Sequence, residues 1–124
     1  MLQVNLLYNN FASIFINKEE TKHLKERNER INIYEKYNLL SYNFVSCFKV
    51  DKDHKNGLEV HAINENGLIY VYNFKSRKLI TILHARSEQI KRYYNALKIE
   101  MPITVKNIII EVDKRNKTQK LNFM

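Results

Sequence analysis

The stretch LEVHAINENGLIYVYNFKSRKLITILHA, residues 58–85, decides the fold. It holds three short apolar runs, at 58–63, 68–74 and 78–85, each the length of a strand. Asn66-Gly67 separates the first two, and such a pair favours the turn of a two-residue hairpin. The polar segment KSRK, 75–78, separates the second and third. Together they predict an antiparallel β-meander.

Working outward, Phe44, Val45, Phe48 and Val50 suit a preceding strand, joined to the meander through the loop DKDHKNG, 51–57. Val4, Leu7, Tyr8, Phe11, Ile14 and Phe15 recur at helical spacing, which predicts a helix over about 3–15. A second, mostly charged helix is expected over about 17–37, capped by Asn17, with Leu24, Ile31 and Tyr34 as its apolar stripe. After the meander, Ser87 is the expected N-cap of a helix over 88–99, with Pro102 ending it. The β-branched run ITVKNIIIEV, 103–112, reads as a final strand, and DKRNKTQKLNFM, 113–124, as a basic tail. The expected architecture is α+β in one domain, 1–124. It has a helical N-terminal part (1–40), an antiparallel sheet with one helix (42–112) and the tail (113–124).

The bulk composition narrows the partners. The 124 residues include 21 Lys and Arg against 13 Asp and Glu, a net charge of +8. A surplus of that size points to a polyanion, above all a phosphate backbone. Cys47 is the only cysteine, so no internal disulfide forms, and a reducing, cytoplasmic setting is expected. No apolar run reaches the roughly 18 residues of a membrane span, and the start lacks a signal-peptide pattern, so no membrane role is expected. Two glycines, Gly57 and Gly67, leave no phosphate-cradling loop. One Cys with four dispersed His gives no zinc signature, and Asp51, Asp53, His54 and Asn56 lack the spacing of a calcium loop. Neither a metal nor a cofactor is expected.

A two-residue turn at Asn66-Gly67 places His61 opposite Tyr72, and a turn at Ser76-Arg77 places Tyr72 opposite Thr81. One face then carries the row His61, Tyr72, Thr81. The other carries Ala62, Val71 and Ile82 toward a helix-covered core. A histidine beside a phenol and a hydroxyl can supply general acid and base for cleavage of RNA by its own 2′-hydroxyl. Arg86, or Lys75 and Arg77, would neutralise the phosphorane. These four, His61, Tyr72, Thr81 and Arg86, are the catalytic candidates. His23 and Arg27, one helical turn apart, together with Lys75, Arg77, Lys91, Arg92 and Tyr93, are the nucleic-acid-binding candidates.

The segment His23-Leu24-Lys25-Glu26-Arg27-Asn28-Glu29-Arg30-Ile31 resembles the helix-borne basic segment of small RelE/BrnT-like toxins. The meander followed by Thr81-Ile82-Leu83-His84-Ala85-Arg86 and a helix is similar to the core of the barnase/EndoU/colicin/RelE ribonuclease superfamily. That resemblance spans about residues 21–94. It implies helices packed on a curved antiparallel sheet and metal-independent cleavage of RNA. It also implies a toxin role on mobile elements, with an antitoxin protein as partner. The alternative is a non-catalytic phage or mobile-element protein that binds and inhibits a host nucleoprotein complex, such as a CRISPR-type defence effector. A third reading is an accessory subunit of a larger assembly.

Overall fold

The computed structural model describes residues 3–7, 28–51 and 57–118. Its elements are β1 (Gln3–Leu7), α1 (Asn28–Lys36), β2 (Phe44–Asp51), β3 (Leu58–Asn64), β4 (Leu68–Asn73), β5 (Leu79–His84), α2 (Ser87–Leu97) and α3 (Ile103–Thr118). The five strands form one sheet in the order β1-β2-β3-β4-β5, with every neighbouring pair antiparallel. The α+β class and the meander agree with the sequence reading.

Two expectations are corrected. Residues 3–7, read as the start of a helix, form strand β1, paired to β2 with a bulge between Val4 and Leu6. The run 103–112, read as a strand, lies in α3, which continues through Thr118 and so takes in the start of the supposed tail. Val105, Ile108, Ile109 and Val112 are buried while Ile103 and Ile110 are exposed, a period of 3.6 and not 2. Pro102 does not merely close α2. Its carbonyl accepts the first N–H groups of α3, from Val105 (3.1 Å) and Lys106 (3.0 Å), a position where a proline suits a helix start. The predicted helix over 88–99 is α2, but Arg86 is its N-cap and Ser87 its buried first residue. Lys98, in a left-handed conformation, caps its other end. Of the helix predicted over 17–37, the residues before 28 lie outside the described ones.

The β3–β4 turn is one residue longer than expected. The buried Asn64 accepts at its side-chain oxygen from the N–H of Asn66 (2.9 Å) and of Leu68 (3.0 Å). Its amide donates to the carbonyls of Leu39 and Ser41. Its own carbonyl accepts from Gly67 (3.1 Å), and Gly67 takes a φ of +84°. This three-residue loop, Glu65-Asn66-Gly67, pairs Ile63 with Ile69 and His61 with Val71.

A slip of one residue exchanges the faces of a strand. Val60, Ala62, Tyr70, Tyr72 and Ile82 pack on one face with Tyr34 of α1 and with Leu39. Phe48, Val50, Ile63, Ile69 and Val71 pack on the other with Ile90, Tyr93 and Tyr94 of α2 and Val105 and Ile109 of α3. The sheet is therefore covered on both faces. The fold has three layers, α1, sheet, and α2 with α3, where helices over a single face had been expected.

Candidate functional site

The register change takes the predicted row apart. Tyr72 pairs with Val60 and Leu79 and belongs to the α1 face. It is buried, and burial raises its phenol above the usual range. His61 and Thr81 both lie opposite Val71, a residue too apolar to relay a proton between them. The Thr81 hydroxyl is buried with no hydrogen-bond partner among the described residues.

His61 is 3% exposed, and the sheet and α2 hold it between them. Its Nε2 lies 2.9 Å from Oε1 of the buried Glu59, and its Nδ1 lies 2.8 Å from the hydroxyl of Tyr93. Glu59 was missed in the sequence, although a residue two positions away on a strand shares the face and a carboxylate there can orient an imidazole. Tyr93, expected to stack on a base, is instead fully buried against the ring of Phe48 at 4.9 Å and 9°. Its neighbour Tyr94 joins its hydroxyl to that of Ser46. Desolvation raises both phenols above their ordinary values. A general base must come within hydrogen-bond reach of its substrate. Here the histidine and the phenols engage one another inside the protein.

The basic candidates face water. Lys75, Arg86, Lys91 and Arg92 are exposed and Arg77 is half-exposed. They do not form one cluster. Lys75 and Arg77 sit in the β4–β5 turn, where the Asn73 side chain accepts from the N–H of Lys75 (3.0 Å) and Ser76 (2.8 Å). Lys49, whose Nζ lies 4.3 Å from the Phe74 ring, shares that end of the sheet. Arg86 follows the far end of β5. Six residues of strand separate the two places, about 20 Å at roughly 3.4 Å per residue. Lys91 and Arg92 lie on the outer side of α2, with Asn95 one turn on. His23 and Arg27 lie outside the described residues, as do 52–56 of the polar loop. Among the described residues no group of three His, Cys, Asp or Glu side chains is placed to hold a metal, and no helix is long and apolar enough to cross a membrane. Cys47 is buried, which pushes its thiol up to about 12 and leaves it an inert core residue.

No protein-family model, curated protein or solved structure matches the chain.

One further group was missed in the sequence because the tail reading hid it. At the end of the sheet where β5 stops, Arg115 of α3 reaches His84, with Nη1 3.1 Å from the imidazole Nε2. Helical numbering from Ile108 and Val112 would have placed Arg115 on the inward side of α3.

Proposed function

We infer that this protein binds nucleic acid without cutting it, as a mobile-element or phage-type protein that occupies a nucleic-acid or nucleoprotein partner of its host. One observation carries the reading. Among the described residues, His61, Tyr72 and the Thr81 hydroxyl, which the cleavage reading used, are in the interior, whereas the lysines and arginines that docking would need are in water. Residues 85–118 hold eight Lys and Arg against four Asp and Glu. In the described residues of 28–84 the balance is six against five. The helical layer therefore offers the more cationic surface, and Lys91, Arg92 and Arg86 are its contact residues. Phosphate contact by such side chains gives affinity that falls with salt and carries little sequence preference.

Anisotropy of a labelled single-stranded RNA, titrated with the full chain across salt concentrations, tests this. The wild type should bind with a strong salt dependence, and Lys91→Glu with Arg92→Glu should weaken binding by at least ~10-fold, since each lost charged contact is worth about 1 kcal/mol or more. Undiminished binding by that variant would remove the assignment. The same mixtures, incubated in EDTA and resolved on a gel, should show intact RNA. Products ending in a cyclic phosphate would reinstate the ribonuclease reading.

A further inference from the structure

Tyr42 lies between α1 and β2, at the end of the sheet that carries the β3–β4 turn. Of the aromatic side chains among the described residues it alone is exposed, at 51%. Its ring is nevertheless held. It meets the Tyr70 ring at 5.4 Å and 62° and the Phe44 ring at 6.2 Å and 79°. Those two rings meet each other at 5.1 Å and 81°. All three are edge-to-face contacts of favourable geometry. The backbone on either side is fixed as well. The Ser41 N–H donates to the Tyr70 hydroxyl (3.2 Å), and the Ser41 carbonyl accepts from the side-chain amide of the buried Asn64 (3.1 Å). The Ser41 hydroxyl and the Asn43 side-chain amide both donate to Oε2 of Glu65 (2.6 and 2.7 Å). The Asn43 carbonyl accepts from the Glu65 N–H (2.9 Å). A flat ring is thus presented to water in a conformation that the fold has already ordered, which favours binding by that ring.

Charge decides which part of a nucleic acid this ring would meet. Residues 37–48 and 63–74, which supply the strands and the turn around Tyr42, contain one charged side chain, Glu65. The hydrogen bonds from Ser41 and Asn43 hold its carboxyl below the usual carboxylate range, so it is anionic at neutral pH. That setting offers a phosphate no cation, whereas a base needs only the ring's face. A cation for the backbone lies at the same end of the sheet. The N–H of Ala85 donates to the carbonyl of Gly67 (3.3 Å), which sets the exposed Arg86 beside the same turn. From β2 to β5 is three strand spacings, about 14 Å, a gap that a single strand of nucleic acid can cross. We propose that Tyr42 is a stacking platform for an unpaired base, so that the nucleic acid is single-stranded where it crosses this end of the sheet. The proposal rests on the nucleic-acid reading above and adds to it the kind of strand that is taken.

A short, labelled, mixed-sequence oligoribonucleotide, titrated with the full-length wild type, Tyr42→Phe and Tyr42→Ala across salt concentrations, tests the platform. Tyr42→Phe keeps the ring and should bind as the wild type does. Tyr42→Ala should bind about 10-fold more weakly, as expected for one lost base stack. Its slope of log affinity against log salt should match the wild type's, because no phosphate contact is lost. A strand of the same length with abasic sites throughout should bind all three proteins alike. In proton NMR of the wild type, the Tyr42 ring signals should move upfield as the intact strand is added and stay in place with the abasic one. If Tyr42→Ala fails to fold, those ring signals and the abasic strand decide. Salt-dependent binding that Tyr42→Ala leaves undiminished would overturn the platform, leave the α2 surface standing and assign the exposed ring to a protein contact. A loss in Tyr42→Ala that the abasic strand shares equally would also overturn it, since the ring would then touch backbone. A wild type that binds no strand at any salt would overturn the platform together with the reading it rests on.

Discussion

Gly67 shows how much a single residue settles here. A Cβ built on it would lie 2.3 Å from Cγ2 of Val112, and its φ of +84° suits few other residues. The glycine therefore lets the β3–β4 turn pass directly beneath α3. Gly67→Ala should destabilise the protein by about 2–4 kcal/mol, from overpacking together with backbone strain. Gly67→Ala combined with Val112→Ala should not recover the wild-type value, because the backbone conformation stays unfavourable and a core contact is lost. Urea unfolding of the three proteins checks this, and a single variant as stable as the wild type would contradict the close approach. His84 acts through protonation. Its folded value, about 4, lies below the ordinary 6.5. The unfolded chain therefore takes up a proton first as pH falls, and stability is lost between about 6.5 and 4. The ring is partly open to solvent, so the loss should be under ~2 kcal/mol. His84→Gln should flatten that part of a stability-against-pH curve, and an unchanged slope between pH 6.5 and 4 would refute the assignment.

At the scale of elements, α3 is the informative case. The run ITVKNIIIEV is rich in β-branched residues, so local preference favours a strand. Tertiary packing overrides it, because only a helix puts Val105, Ile108, Ile109 and Val112 on one side against the sheet and the Gly67 turn. The i, i+3, i+4, i+7 spacing of those four was visible in the sequence and outweighs their β preference. In β1 the reverse holds. Gln3-Val4-Asn5-Leu6 alternates as a strand should, but Val4 and Leu7 also fit a helical period, and five residues are too few to choose between them. The meander was legible because the turn signals and apolar runs agreed. Its register was not, since Asn64 rather than Asn66 organises the turn. The predicted catalytic row fell with that residue and with the β4–β5 register, which pairs Tyr72 with Leu79 and Thr81 with Val71. The helical period of α3 has a direct consequence. Ile109→Lys should cost more than ~3 kcal/mol, whereas Ile110→Lys, at a half-exposed site, should change stability by less than ~0.5 kcal/mol. Thermal unfolding measures both, and equal costs would speak for a strand.

Across the whole molecule, coverage of both sheet faces decides where a large ligand can act. The interior is closed by α1 on one side and by α2 and α3 on the other. The hydrogen-bonded set Glu59, His61 and Tyr93 ties α2 to the sheet. Among the described residues, the proposed polyanion would meet the outer side of the helical layer and the two ends of the sheet. The charges at those places are too far apart to grip one phosphate together, yet one strand of nucleic acid can span them. Counterion release distinguishes them, because the slope of log affinity against log salt falls by about 0.7 for each single-strand phosphate contact removed. Reversing Lys91 and Arg92 should lower the slope by about 1.4 if both side chains contact phosphate. Reversing Lys75 and Arg77 should lower it less if the α2 face makes the main phosphate contacts. Equal reductions would mean that the ligand crosses both places. No reduction from the α2 pair, with a large one from the turn pair, would move the interface from the helices to the hairpin end of the sheet.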